Sequence, residues 1–588
     1  MRLDAQSLDF PEAETRDGMR IHWDVPIPMD DGIVLRADIF RPMTDGRYPA
    51  IMSYGPYAKG LAFQQGFKPA WDLMVAENPD VLAGSTNKYQ NWEVVDPEKW
   101  VPDGYVVIRV DSRGAGRSRG ILDMWSLRET QDFCQCIEWT AVQSWCSGKI
   151  GLNGISYYAM NQWWVAALKP PHLAAICAWE GAADYYRDVV RHGGILCEFL
   201  PYLGRVAVKT VQHGVGTRGK RSVVTGELVA GPETLSEEEL ARNRIDVEQW
   251  VHDHSLDDAE YRSRSAHWEK VEVPLLSAAN WGGQGLHPRG NFEGFMRAAS
   301  TQKWLEVHGG SHWAEFYTDY GVSLQKRFFG HFLKDENTGW DRQPPVQLKI
   351  RHNDRFVVRH ENEWPLARTH WTKFYLNPTD RSFATQPLMA EAVLDYDAKG
   401  EGLTFVSPPL IEEIEITAPV AAKLWLSSST SDADIFVVLR VFDPKGNEVT
   451  FHGSNDPRTP IGLGWLRASR RKLDPALTLL YRPYHAHDEI WPLSPRVPVE
   501  LDIEIWPTCI VVPPQYRLGF SVRGKDYEYP GPDLNAIGAS YGAAKGVGPF
   551  THDDSKDRPA DVFGGRNALH FGSDRQPFVL IPIIPGTR

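Results

Sequence analysis

Short apolar runs, each closed by a turn, recur over the first part of the chain at residues 33–40, 49–54 and 105–110. Their length and their β-branched and aromatic content predict strands. Between 126 and 144, beginning near Ser126-Leu127-Arg128-Glu129, apolar positions fall at Phe133, Cys136, Ile137 and Thr140 or Val142, close to helical spacing. A short strand follows at 149–153, then an apolar stretch from Tyr157 to Leu168 that stops at Lys169-Pro170-Pro171. Strand, helix, strand, helix predicts a parallel sheet covered on both faces. Residues 172–179, 273–279 and 303–307 continue the strand pattern. The polar and helical stretch 185–270 between them is too long for a loop. It is expected to be an inserted helical cap, with Ser236-Glu237-Glu238-Glu239 as one capped helix start. After Trp340-Asp341-Arg342-Gln343-Pro344-Pro345 the texture changes to short alternating strands with Pro and Gly turns, for example 422–426 and 435–441. That predicts an all-β sandwich or jelly roll.

Composition narrows the function classes. The 588 residues, 42% hydrophobic and 24% charged, are those of an ordinary globular chain of about three domains. With 63 Lys+Arg against 76 Asp+Glu the net charge is −13, so no basic surplus is available for phosphates. Nucleic acid and anionic membranes are not expected partners. No segment approaches the ~20 apolar residues of a membrane span, and Met1-Arg2-Leu3-Asp4-Ala5-Gln6 opens no signal-peptide pattern. Six cysteines do not make a disulfide framework. A cytoplasmic location is therefore expected. The 22 Trp residues suggest aromatic-lined pockets or wide packing surfaces.

Candidate chemistry turns on G-x-S-x-G, a serine on a sharp turn between strand and helix. Two strict matches fail that context. Gly116-Arg117-Ser118-Arg119-Gly120 stands five residues beyond its strand, and Gly538-Ala539-Ser540-Tyr541-Gly542 lies in a Gly- and Pro-rich part of the β region. Gly154-Ile155-Ser156-Tyr157-Tyr158-Ala159 has Tyr158 in place of the second Gly, yet a strand runs into it and an apolar helix follows. Ser156 would then stand at the carboxyl edge of the sheet, above a helix start that offers N–H groups to an oxyanion.

The segment Gly148-Lys149-Ile150-Gly151-Leu152-Asn153-Gly154-Ile155-Ser156-Tyr157 resembles the elbow of the cocaine esterase-like hydrolases, relatives of the Xaa-Pro dipeptidyl-peptidases, α-amino acid ester hydrolases and glutaryl acylases. Further matches are Ser53-Tyr54-Gly55-Pro56-Tyr57, Asp111-Ser112-Arg113-Gly114-Ala115-Gly116-Arg117-Ser118, Ala183-Asp184-Tyr185-Tyr186-Arg187-Asp188, and a strand-then-histidine segment ending at His312. The resemblance implies an α/β-hydrolase core at 1–184 and 271–345, a helical cap at 185–270 and a jelly-roll domain at 346–588. It also implies Ser156 as nucleophile, the backbone N–H of Tyr157 with the hydroxyl of Tyr57 as oxyanion hole, and His312 as general base.

His308-Gly309-Gly310-Ser311-His312 could also be read as metal ligands, but the two glycines make a poor helix and no Glu follows the first His. No metal or cofactor is expected. The family's acid, an Asp two residues after a Trp, is missing from Asn280-Trp281-Gly282-Gly283-Gln284-Gly285. Glu180, at the tip of the preceding strand, keeps the chain order of serine, acid and histidine, with Asp184 and Glu293 as rivals.

The expected function is hydrolysis of an ester or amide of a small molecule through an acyl-enzyme. The alternatives are an aminopeptidase or α-amino acid ester hydrolase, and a binding protein that keeps the fold without the triad. The aromatic segment 61–100, with Phe63, Phe67, Trp71, Tyr89 and Trp92, is expected either to shape the substrate pocket or to form a surface insertion. Homo-oligomer formation stays open.

Overall fold

The computed structural model describes residues 10–531 and 545–586. Gly538-Ala539-Ser540-Tyr541-Gly542 lies outside the described residues. Among those described, eleven strands form one large sheet in the order Glu14–Arg16, Met19–Pro28, Val34–Pro42, Val106–Asp111, Tyr48–Gly55, Cys146–Ile155, Leu173–Trp179, Leu275–Asn280, Lys303–His308, Val346–Arg351, Phe356–Glu361. The strands from Val106–Asp111 to Val346–Arg351 run parallel, and antiparallel pairs close both edges. The sheet thus continues beyond residue 345. The two strands that follow, expected in the β domain, pair here instead.

Central strands buried on both faces need continuous apolar runs; the helices Leu127–Ala141 and Tyr157–Ala167 pack against each other over one face, and the helix Asp319–Lys334 covers the other. Ser126 caps the first of these by accepting the Glu129 amide. Ser118 has a structural role: its buried hydroxyl donates to the Asp111 carbonyl and accepts the Arg36 amide. A Cβ at Gly116 would fall 2.2 Å from Asp111 Oδ2, so the turn after that strand requires glycine.

Residues 185–270 carry short helices, among them Glu237–Arg242 with a complete capping box from Ser236 and Glu239, and the two-stranded hairpin Arg191–His192 and Ile195–Leu196. The C-terminal region is an all-β, barrel-like domain built around the long strand Ile414–Ser428, which pairs with Val499–Val512, Arg566–Phe571 and Phe578–Ile584. It encloses its own apolar core. No helix among the described residues is long and apolar enough to cross a membrane, and the six cysteines are all unpaired.

Candidate active site

The strand Cys146–Ile155 ends at Ser156, whose backbone (φ 56°, ψ −113°) turns sharply into the helix Tyr157–Ala167. A non-glycine residue there is strained by about 1–3 kcal/mol, and such strain persists only where the surroundings impose it. Here the Ser156 amide reaches the Trp179 and Glu180 carbonyls, both at 3.1 Å, and its carbonyl accepts the amides of Ala159 and Met160. Gly154 is needed because a Cβ would lie 2.5 Å from Tyr158 Cβ. Tyr158 takes the place of the second glycine of the motif because the space it needs is left elsewhere: its ring lies over Gly55, where a Cβ would come within 2.6 Å.

The Tyr157 amide stands at the first position of the helix, where N–H groups have no acceptor within the helix. The Tyr57 ring is buried, edge-on to the rings of Tyr157 and Tyr158 at 5.8 Å from each.

The structure brings Ser156 into contact with a histidine that the sequence reading did not single out. His287 Nε2 lies 3.1 Å from Ser156 Oγ. His287 closes the loop Trp281-Gly282-Gly283-Gln284-Gly285-Leu286 and precedes Pro288, the first residue of a helix. His312 lies against it, the two rings parallel within 4° at 4.7 Å, but its own nitrogens face carboxylates. His312 Nδ1 is 2.8 Å from Glu180 Oε2, and Nε2 is 3.0 Å from Glu93 Oε1.

Glu180 is fully buried at the tip of Leu173–Trp179. Besides His312 it accepts Asn280 Nδ2 (3.1 Å), His308 Nε2 (3.2 Å) and Ser454 Oγ (3.0 Å), and its Oε2 is 4.0 Å from His287 Nδ1. Asp184 and Glu293 are held elsewhere, by Arg187 and by Arg482 and Arg297, around a polar cavity of about 370 Å³.

The loop that lacks the family carboxylate is occupied by the β domain. A Cβ on Gly282 would fall 2.4 Å from Gly453 Cα, and one on Gly283 would fall 3.2 Å from Ser454 Oγ. Ser454 accepts the His312 amide through its carbonyl and donates its hydroxyl to Glu180. A Gly282→Ala substitution is therefore expected to destabilise the chain by about 1–3 kcal/mol, because the obstacle is backbone. A lowered denaturation midpoint with unchanged m-value would show it.

Glu93 and Glu180 also have positive φ, 62° and 48°. The Glu93 carbonyl accepts the Ile155 amide, so its strained backbone rests on the strand that carries the nucleophile.

The charges follow from burial and pairing. Burial alone would raise Glu180, but His312 and His308 outweigh it and hold the carboxyl well below its usual range. Burial lowers His312, yet Glu180 and then Glu93 raise it to about 9. Glu93 itself is raised to about 6 by burial, against the pull of His312. His287 is driven well below its usual value by burial and by its neighbour His312. Near neutral pH, His312 is therefore an imidazolium between two carboxylates, and His287 is neutral.

Glu180, His287 and His312 could in principle hold a metal. Both nitrogens of His312 already face anionic acceptors, however, which favours protons over a metal there.

The His312 shift makes stability depend on pH. Between about 6.5 and 9 the folded chain keeps a proton that the unfolded chain has lost, so stability falls as pH rises through this range. The melting temperature of wild type is expected to fall over that window, and that of His312→Gln to fall less steeply.

Phe63, Phe67 and Trp92, from the segment 61–100, form an aromatic wall that reaches Trp313, while Tyr89 packs away from it against Trp23 and Phe40. Phe67 stacks on Trp92 at 4.0 Å, Phe63 meets Trp92 edge-on at 4.9 Å, and Trp92 touches Trp313, next to His312, at 5.3 Å.

A serine at a strained strand-to-helix turn, bonded to a buried histidine beside an anionic carboxylate, on an eleven-stranded sheet with a C-terminal β domain, defines the serine hydrolases of the α/β-hydrolase fold. Residues 31–314 match the X-Pro dipeptidyl-peptidase (S15) family, and residues 338–576 match the X-Pro dipeptidyl-peptidase C-terminal non-catalytic domain. The crystal structure of a CocE/NonD family hydrolase from Staphylococcus aureus superposes with TM-score 0.82 at 31% identity, over 96% of this chain and 94% of that one. The chain belongs to this family of hydrolases. It is also 24% identical to the cocaine esterase of a Rhodococcus species, over 72% of this chain and 81% of the relative. A Mycobacterium bovis protein described as a serine esterase is 23% identical, over 85% of this chain and 90% of that protein.

Proposed function

We propose that this hydrolase opens an ester or amide bond of a small-molecule substrate through an acyl-enzyme on Ser156. The contact between Ser156 Oγ and His287 Nε2 carries this reading. A neutral imidazole that receives the serine proton at Nε2 keeps its own proton on Nδ1, the side that faces anionic Glu180. Ser156 Oγ attacks the carbonyl carbon while its proton passes to His287. The carbonyl oxygen takes the charge, with the Tyr157 amide and the Tyr57 hydroxyl as its donors. The imidazolium then protonates the leaving alcohol or amine, and water repeats the sequence to free the acid. His312, tied to Glu180, fixes the orientation of the acid. The aromatic wall supports an apolar group on one side of the scissile bond.

Incubation with a fluorophosphonate, followed by peptide mapping, tests this directly. Label is expected on Ser156 of the wild type and on no residue of Ser156→Ala. Absence of label, together with inertness toward a panel of aryl esters and amides, would favour a binding protein that keeps only the fold.

One observation supports a second substrate class. An aminopeptidase or α-amino acid ester hydrolase needs a carboxylate for the substrate's amine, and Glu93 places a buried carboxylate 3.0 Å from His312 Nε2. Comparing esters that have a free α-amine with their N-acetylated forms separates the two. A preference for the free amine that is lost in Glu93→Gln would establish the second class.

A further inference from the structure

The hairpin Arg191–His192 and Ile195–Leu196 lies directly on the β domain: a Cβ on Gly193, in its turn, would fall 2.1 Å from the Trp465 carbonyl oxygen. This approach brings His192 Nδ1 to 2.8 Å from His552 Nε2. One ligand atom from each of His192, Cys197 and His552 lies within 4.8 Å of the other two, and all three residues are buried. Trp465 and Trp506 wall the cluster, their rings 4.7 and 5.4 Å from that of His192.

The outer nitrogen of each ring decides what the inner one can offer. His552 Nδ1 is 2.9 Å from Asp526 Oδ1, and a carboxylate only accepts, so the proton of a neutral His552 sits on Nδ1 and Nε2 presents a lone pair. His192 Nε2 is 3.2 Å from the Asp188 carbonyl oxygen, so a neutral His192 with its proton on Nε2 presents a lone pair at Nδ1, and with its proton on Nδ1 donates to His552 Nε2 instead. The two rings are therefore joined either by a proton on His192 Nδ1 or by a metal ion between the two nitrogens. The thiol of Cys197 supplies a third, soft donor that a proton does not need. Carboxylate and carbonyl partners on the outer nitrogens are also the usual support of metal-bound imidazoles.

We propose that His192, Cys197 and His552 form a binding site for a thiophilic transition-metal ion, zinc in the first instance. Two imidazoles and one thiolate suit zinc in donor type. On binding, the Cys197 S–H bond breaks, the sulfur keeps the electron pair as a metal ligand, and the proton leaves to solvent. The ion would fasten a cap hairpin to the β domain, a role separate from the chemistry at Ser156.

Metal analysis of the full-length chain, purified without chelator from zinc-supplemented medium, tests the site. About one zinc per chain is expected, falling at least tenfold in Cys197→Ser and in His552→Gln. Ser156→Ala is expected to keep its zinc, so failure of the hydrolase reading would leave this result untouched. Cobalt added to the stripped wild-type protein is expected to give a thiolate-to-cobalt absorption band that Cys197→Ser lacks. A wild-type chain that holds no zinc as purified and takes up neither zinc nor cobalt overturns the proposal and leaves a hydrogen bond between His192 and His552 only.

Discussion

His287→Gln is expected to lower kcat/KM by a factor on the order of 10⁴ to 10⁶, because it removes the group that receives the Ser156 proton. A glutamine in its place can still hydrogen-bond the serine hydroxyl but cannot hold the proton at the transition state. His312→Gln is expected to act through Glu180 and to cost on the order of 10², the scale of a small misplacement in the site. The two variants separate the roles of two stacked rings that differ in what their nitrogens touch. The rate of fluorophosphonate labelling should follow the same order, since it needs the activated serine but no deacylation. The reverse ranking, with His287→Gln mild and His312→Gln severe, would make His312 the base and His287 its neighbour.

The second large effect is expected at Glu180. Loss of a triad acid costs about 10⁴ in rate, since the imidazolium that forms loses its counter-charge. Glu180→Gln is expected to reach that scale, and a change under tenfold would remove Glu180 from the role. Its stability should fall too. Four donors converge on the carboxylate, from Asn280, His308, His312 and Ser454. Breaking one half of a buried pair typically costs about 3–5 kcal/mol. Part of the loss should appear as a change of pH dependence: without Glu180, His312 loses the partner that contributes most to holding its proton, and the decline of stability above pH 6.5 should flatten. A purely packing role for Glu180 would lower the melting temperature at every pH alike.

The local parts of this site were legible in the sequence. The strand, the turn at Ser156 and the apolar helix are contiguous, so their pattern shows the elbow even with Tyr158 in the wrong place. Glu180 was legible by topology, because adjacent parallel strands end at the same edge of the sheet and the tip of one lies beside the turn of the next. What stayed hidden depends on long-range contact. The Gly-rich loop 281–286 could be searched for its missing acid, yet nothing in its spacing says that His287 at its end turns toward Ser156. A histidine just before a proline at a helix start, in that loop, was the available signal. Glu93 and Ser454 come from a long insertion and from another domain, and no periodicity marks either. The pairing of two strands was hidden for a related reason: Val346–Arg351 and Phe356–Glu361 alternate like those of the β domain, and only contact with Lys303–His308 joins them to the first sheet.

The backbone contact between Gly282 and Gly453 sets a limit on how the chain can be taken apart. With main chain against main chain, neither loop can be rebuilt around a substitute partner by changing side chains. A core expressed alone would leave Glu180 without the Ser454 hydroxyl and His312 without the carbonyl that holds its amide. A β domain grafted from a relative would have to reproduce a glycine and a hydroxyl at one place to within an ångström. Engineering of this scaffold is therefore better directed at the aromatic wall, whose side chains can be exchanged, than at recombining its domains.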